Sequence, residues 1–245
     1  MLTKDTAICI RTVDYSETSQ IVTFFTRAKG KLTAIAKGSK RPKSAFDGPV
    51  EIFSFGRTVF TTGREDKLST LTEFQQQPTF SHLRTNLFAL NCSLFAAELV
   101  NVLTNDYDPH PQLFDGFEQF LQNIQNAKGK ADALKLMILF QLTLLKEVGL
   151  QLVLNACANC KNSYGADWPQ IYFSSSANGL ICKDCEASFA DRIKLPPRAA
   201  NCLNNLKLIA ESGQGTLDEV EKVLIYHFTE LVGKPPKMAK HILGT

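Results

Sequence analysis

The chain has 245 residues, 44% hydrophobic and 21% charged, which is the balance of an ordinary globular protein. This length predicts one large or two modest domains, and the apolar runs are too short for a membrane span. The start lacks the pattern of a signal peptide, so a cytoplasmic location is expected. The seven cysteines are therefore not expected to form a disulfide framework.

Five short strands are predicted in the first 77 residues. The β-prone runs, rich in β-branched and aromatic residues, are 7–12, 19–26, 31–37, 51–62 and 68–75. A hairpin turn is predicted at Arg27 to Gly30, where Gly30 is free to take positive φ, and a second turn near Gly63. Five strands of this length predict a small closed barrel. An OB-fold is the commonest such barrel, and an SH3-like barrel is the alternative.

The pattern becomes helical after Pro78. Apolar residues three and four apart predict helices over about 83–102, 114–124 and 134–148, which are expected to pack as a bundle. A last helix is expected to start at a capping box formed by Thr216 and Glu219. The fold class is thus α+β and multidomain. The predicted domains are an OB-fold, 1–78, and a mostly helical domain, 79–245, with a cysteine-bearing insert at about 155–189.

Four cysteines in this insert give the strongest chemical signal. Cys157 and Cys160 form one C-x-x-C pair, and Cys182 and Cys185 form another after 21 intervening residues. Four thiolates at this spacing suit tetrahedral Zn²⁺, and because no ligand position stays open the zinc is expected to be structural. An iron–sulfur cluster is the chemical alternative.

A basic cluster in the barrel gives the second signal. Residues 1–80 carry twelve Lys and Arg against eight Asp and Glu, although the whole chain has a net charge of only +3. Seven of these cations fall within 17 residues, and no acid lies between Glu17 and Asp47. They are Arg27, Lys29, Lys31, Lys37, Lys40, Arg41 and Lys43. Such a cluster on a small barrel predicts contacts with nucleic-acid phosphates. Phe24, Phe25, Phe46 and Phe53 lie nearby, and although aromatic rings can stack on bases, most of these four are expected to serve the barrel core.

No catalytic constellation is found in the sequence. Walker-type, His-Glu-x-x-His and Gly-x-Ser-x-Gly motifs are absent, and the four histidines are scattered. Carboxylates such as Asp14 and Glu17 are not tied to a substrate. We therefore expect a binding protein and not an enzyme.

Three runs resemble one known family. They are Asp14-Tyr15-Ser16-Glu17-Thr18, then Phe25-Thr26-x-x-x-Gly30-Lys31, then Ala36-Lys37-Gly38-x-x-Arg41-x-x-Ser44. Taken together, and in their order before the helices and the four cysteines, they resemble the bacterial RecO family of DNA repair and recombination proteins. The resemblance spans essentially the whole chain.

This resemblance implies an OB-fold and a helical domain that carries the zinc site. It implies binding to single- and double-stranded DNA, annealing of complementary strands, and a cytoplasmic, nucleoid-associated location. It also implies action with RecR and with the single-stranded-DNA-binding protein SSB in loading RecA. Lys37 and Arg41 are the DNA contacts that the family motif implies, and the other five cations are added on charge and proximity.

Two other functions are kept as alternatives. One is a zinc-ribbon and OB-fold protein of RNA metabolism or transcription, which would prefer structured RNA to DNA. The other is a metal-dependent nuclease, which would require an open metal site or clustered carboxylates.

Overall fold

A computed structural model of the chain describes residues 2–41, 44–46, 48–61, 68–165 and 168–243. The chain divides into two compact units, Met1–Asn126 and Ala127–Thr245. The boundary predicted after residue 78 lies within the first of these units, and it stays a prediction about domain organisation.

Five strands form a closed barrel in the first unit. They are β1 (Leu2–Asp14), β2 (Gln20–Thr26), β3 (Gly30–Ala36), β4 (Phe55–Thr61) and β5 (Ser69–Gln77). The barrel order is β1-β2-β3-β5-β4, and the parallel pairing of β3 with β5 closes it. The predicted five-stranded OB-fold barrel is therefore confirmed. The turn expected near Gly63 lies outside the described residues.

Alternation along the strands fills the barrel. In β3 every second residue is buried, which places Leu32, Ala34 and Ala36 on the inner face. The small side chains of Ala34 and Ala36 leave room for large ones, and the rings of Phe24 and Phe74 meet with centroids 5.0 Å apart. Burying a phenylalanine side chain stabilises a fold by about 1.5–3 kcal/mol, so the two rings make a large contribution to the barrel core.

Gly30 ends the β2–β3 turn with φ +70°, as predicted for this hairpin. A Cβ atom at this position would lie 2.1 Å from the carbonyl oxygen of Asp108. Glycine is therefore required twice, by the left-handed backbone and by the close approach of a second chain segment.

Two α-helices complete the first unit. A 3-10 helix, Ser81–Thr85, precedes α1 (Leu87–Leu103), and α2 (Pro111–Ile124) follows. The side chain of Asn86 caps α1 by accepting a hydrogen bond from the N–H of Ala89 at 3.1 Å.

The second unit combines helices with a small sheet. Its helices are α3 (Lys130–Glu147), α4 (Pro197–Asn204), α5 (Lys207–Glu211), α6 (Gln214–Val232) and α7 (Lys240–Leu243). Its strands are β6 (Ile171–Ser174), β7 (Gly179–Cys182) and β8 (Ile193–Leu195), in the order β7-β6-β8. Within the described residues, none of the helices combines the length and the apolar character that crossing a membrane requires.

Two helical predictions are wrong. The expected three-helix bundle does not exist as one compact unit, because α1 and α2 belong to the first unit and α3 belongs to the second, where it packs against α6. The expected capping box is also incorrect. Helix α6 begins at Gln214 after Gly213, so Thr216 already lies inside the helix and Gly213 provides no capping side chain.

A buried acid joins α3 to α6. Glu221 is fully buried, and its Oε1 accepts a hydrogen bond of 2.8 Å from Nε2 of Gln141. Glu221 Oε2 and Gln141 Oε1 are both acceptors when the acid is ionised, and neither has a hydrogen-bond partner within the described residues. A proton on Oε2 would let the acid donate to the amide oxygen and complete an acid–amide pair. Burial, helped by the charge of Asp218, raises the pKa of Glu221 to about 7.

The protonated acid should make folding depend on pH. A carboxyl whose pKa is raised from 4.5 to about 7 on folding stabilises the protein fully below the lower value and loses that contribution as pH rises through the higher one. We expect Glu221→Gln to remove this dependence and to raise the free energy of unfolding by about 1–3 kcal/mol at about pH 8, but little at about pH 4. Urea unfolding of the wild type and the variant at both pH values measures this change in the free energy of unfolding. Glu219→Gln, on an exposed part of α6, is the matched control, and an unchanged pH slope in Glu221→Gln would contradict the acid–amide pair.

Candidate metal centre and nucleic-acid interface

The two C-x-x-C pairs stand on tight turns. In the first, the N–H of Lys161 donates to the carbonyl of Cys157 at 3.0 Å, and Lys161 takes φ 65°. The second begins at the last residue of β7 and continues into a 3-10 helix, Lys183–Ser188. The N–H of Ala158 donates to the carbonyl of Leu180 at 2.7 Å, which holds the first turn against β7. Both turns therefore point their cysteines at one place.

The four sulfur atoms form a compact cluster. All lie within 4.8 Å of one another, and the Sγ atoms of Cys160 and Cys182 are 3.7 Å apart. Tetrahedral zinc, with bonds of about 2.3 Å, would separate its sulfurs by about 3.8 Å. The side-chain amide of Asn159 donates to Cys185 Sγ at 3.3 Å, a contact that stabilises a thiolate. The cluster could therefore hold a metal ion.

The first pair contains a thiol that ionises readily. Burial raises the pKa of Cys157, but hydrogen bonds from the backbone N–H groups of Cys182, Cys160 and Asn159 outweigh this effect and lower the pKa to about 7. Burial raises the pKa of Cys182 to about 12. The thiolate is the form that binds metal, so the site is prepared at Cys157 and would gain its other thiolates on metal binding.

The cations of the β2–β3 hairpin contact α1 and α2. Nε and Nη2 of Arg27 donate to both carboxylate oxygens of Asp115 on α2, at 2.7 and 2.8 Å. This bidentate pair is exposed, so water and salt weaken it. Lys29, at the hairpin tip, is exposed and has no ion-pair partner in the described parts of the chain.

Lys31 is committed to the helix. Its side chain is only 12% exposed, and Nζ donates to the carbonyls of Asn101 and Thr104, both at 2.7 Å. These carbonyls lie at the C-terminal end of α1, where backbone acceptors lack helical partners and the helix dipole favours a cation. The carboxylate of Asp106 is 3.4 Å away. This geometry disfavours Lys31 as a phosphate contact.

Three further cations, Lys37, Lys40 and Arg41, lie on the turn after β3. Lys37 and Arg41 are exposed, and Gly38 between them has φ +71°. Lys40 is partly buried and its Nζ lies 2.6 Å from the carboxylate of Asp14. Lys43 lies outside the described residues. Lys37 and Arg41, like Lys29, are therefore exposed cations without an ion-pair partner among the described residues.

A buried amide holds this turn in place. Oε1 of Gln20 accepts hydrogen bonds from Ser39 Oγ at 2.9 Å and from the N–H of Val50 at 3.0 Å. Its Nε2 donates to the carbonyl of Val50 at 3.1 Å and to Thr12 Oγ1 at 3.2 Å. Every hydrogen-bonding position of the amide is thus satisfied. The basic turn is fixed to the barrel through Ser39.

Two family models match consecutive parts of the chain. The one described as Recombination protein O N terminal matches residues 1–79. The one described as Recombination protein O C terminal matches residues 84–240. The chain belongs to the RecO family.

Several proteins that are similar to this chain along most of their length share one name. The DNA repair protein RecO of Bacillus subtilis is 32% identical over 83% of this chain and 76% of its own. That of Bacillus velezensis is 30% identical over 95% of this chain and 91% of its own. That of Rhodopirellula baltica is 29% identical over 86% of this chain and 77% of its own. The predicted family is confirmed, and with it the assignment of this chain to DNA repair proteins.

Sequence reasoning missed the role of Gln20 in this RecO-family site. Gln20 was assigned to a β-prone run without a role, although a polar residue at the inner end of an apolar strand signals a buried hydrogen-bonding group. The four nearby phenylalanines, Phe24, Phe25, Phe46 and Phe53, are all buried, in agreement with the expectation that most of them serve the core, and they offer no exposed stacking face.

Replacing Lys31 should affect folding. Lys31→Met keeps most of the apolar stem but removes the charged donor of two helix-terminal carbonyls. We expect the free energy of unfolding to fall by about 1–3 kcal/mol. Lys37→Met, which changes the exposed lysine that directly follows β3, should stay within about 0.5 kcal/mol of the wild type. Equal stability of the two variants in urea unfolding would show that the Lys31 contact contributes nothing.

Proposed function

We propose that this RecO-family chain is a recombination mediator that binds single- and double-stranded DNA and promotes annealing of complementary strands. In the same proposal it acts with RecR and SSB to load RecA, and it works by binding, without chemical turnover. Family membership supports these roles. The structural observation that carries the DNA-binding part is the pair of exposed cations, Lys37 and Arg41, on a turn fixed to an OB-fold barrel.

The proposed DNA-binding domain is the barrel, residues 1–78, followed by a helical domain, 79–245. Lys37 and Arg41 contact phosphates and release the counterions condensed on them, so affinity falls as salt rises. Lys29 adds charge at the hairpin tip. Lys40 and Arg27 contribute less because carboxylates already partner them, and Lys43 adds a further charge by its place in the chain. Lys31 is not included among the proposed phosphate contacts, because its ammonium is bonded to the end of α1.

We also propose that Cys157, Cys160, Cys182 and Cys185 hold one structural Zn²⁺. Sulfurs within 4.8 Å of one another fit a single ion, whereas a cluster of several irons would hold them farther apart. The ion would supply cross-linking of the two turns and no catalysis, because four protein ligands leave no open position. Strands β6 and β7 pair in register, from Ile171 with Cys182 to Ser174 with Gly179. This pairing fixes the position of the turn that carries Cys182 and Cys185.

Metal analysis and chelation test this centre. We expect one zinc per chain, and loss of the insert's order, seen as a lower melting temperature, when a strong chelator removes it. Cys157→Ser should lose the metal. Cys202→Ala is the matched control because Cys202 is a buried cysteine outside the cluster, and it should keep full zinc content. Iron in place of zinc, or wild-type protein that is metal-free with unchanged stability, would overturn the assignment.

Annealing of complementary single strands coated with the cognate SSB tests the mediator function. We expect the wild type to accelerate annealing and Lys37→Ala/Arg41→Ala to lose most of this effect, because about two phosphate contacts disappear and the salt dependence of binding flattens. Lys194→Ala/Lys207→Ala removes the same charge from exposed positions of the second unit and should anneal like the wild type.

Three other results would each change the proposal in a different way. Absence of acceleration by the wild type, with preference for structured RNA, would support the alternative role in RNA metabolism or transcription. Equal acceleration by both double variants would move the DNA surface away from the β3 turn. DNA cleavage during incubation with Mg²⁺ would contradict the proposal that the chain acts without turnover.

A further inference from the structure

Tyr15 lies at the same end of the barrel as Lys37. Tyr15 directly follows β1, and Lys37 directly follows β3. The strand register pairs Asp14 with Gln20 and Gln20 with Ala36, so the ends of β1 and β3 flank the start of β2. Neighbouring strands are about 4.8 Å apart, which places the backbones of Tyr15 and Lys37 roughly 10 Å from each other.

Hydrogen bonds donated by backbone N–H groups fix the two turns to each other. The N–H of Tyr15 donates to the carbonyl of Ser19 at 3.0 Å, which closes the β1–β2 turn. The N–H of Lys40 donates to the carbonyl of Thr18, and the N–H of Gly38 donates to Ser19 Oγ, both at 3.1 Å. The main chain at Tyr15 is therefore held beside the basic turn.

The ring of Tyr15 is an exposed aromatic surface. The residue is 62% exposed, and within the described residues it has neither a side-chain hydrogen bond nor a ring contact. The other strongly exposed aromatic residue of the described chain, Tyr107, has its hydroxyl 2.9 Å from Ser69 Oγ. Tyr15 thus provides the free ring that the buried phenylalanines of the barrel do not.

Charge separates the two turns. The β1–β2 turn carries Glu17 and no cation, and the carboxylate of Asp14 at the end of β1 is paired with Lys40, so this side does not attract phosphate. The β3 turn carries Lys37 and Arg41, which have no such partner within the described residues. A nucleic-acid strand lying across both turns would therefore present phosphates to the basic turn and a base to Tyr15. Stacking requires an unpaired base whose face is accessible, which a duplex does not offer.

We propose that Tyr15 stacks on a nucleobase of single-stranded DNA whose phosphates contact Lys37 and Arg41. This inference rests on the proposed DNA-binding function and adds a contact that separates single strands from duplexes. Stacking is independent of base sequence, because every base has an aromatic face. Annealing proteins need such tolerance.

Binding to two probes of equal length tests the stacking contact: an oligothymidylate and a deoxyribose-phosphate strand with abasic sites throughout. We expect Tyr15→Leu to bind the oligothymidylate about 5- to 150-fold more weakly than the wild type. Both proteins should bind the abasic strand alike, since it offers no base to stack. Tyr15→Phe keeps the ring and should restore binding to the oligothymidylate.

Salt dependence separates the ring from the charges. Tyr15→Leu should keep the wild-type slope of affinity against salt, whereas Lys37→Ala should reduce it by about one counterion. An unchanged affinity of Tyr15→Leu for the oligothymidylate, or an equal loss on both strands, overturns the inference and leaves the DNA-binding proposal standing. Wild-type protein that binds neither strand overturns the DNA-binding proposal, and this inference with it.

Discussion

The four hydrogen bonds of the Gln20 side chain tie the loops of the barrel to its strands. An amide buried without partners would cost several kcal/mol, so the segments that satisfy it are held where they are. Those segments are the turn after β3, through Ser39, the loop before β4, through Val50, and strand β1, through Thr12. The positions of Lys37 and Arg41, and of the β1–β2 turn bonded to the same segment, all follow from this amide.

The seven clustered cations of the sequence have different roles in the folded chain. These cations are close to one another in the sequence. In the fold, the hairpin between β2 and β3 contacts α1 and α2, whereas Lys37 and Arg41 on the β3 turn are exposed. Lys31 is used to complete a helix end, Arg27 to make an exposed ion pair, and Lys40 to balance Asp14. A cluster of charge in sequence is thus divided by the topology of the barrel into structural and available parts.

Much of the architecture could be predicted from local patterns. The period of two and the turn residues gave the five strands, and the C-x-x-C spacing predicted the sulfur cluster, because both depend on neighbouring residues. The partners of the helices could not be predicted, since an apolar stripe such as that of α3 says what is buried but not against which element. The start of α6 was misplaced because Thr216 and Glu219 fit a capping pattern that Gly213 pre-empts. The roles of Gln20 and Lys31 arise from contacts between distant residues.

The cover that α1 and α2 give the barrel determines where the chain can be dissected. Phe25 of β2 is fully buried and packs on Phe114 of α2 with centroids 6.0 Å apart, and Gly30 touches the segment that links the two helices. A fragment cut after residue 78 would keep all five strands of the barrel. It would nevertheless expose this apolar face and leave the Lys31 ammonium without the carbonyls that accept its hydrogen bonds. Such a fragment would be prone to aggregation, whereas one that extends to residue 126 would keep this apolar face covered by α2 and the Lys31 ammonium bonded to its carbonyls. A fragment meant to preserve the barrel would therefore have to include α1 and α2 as well.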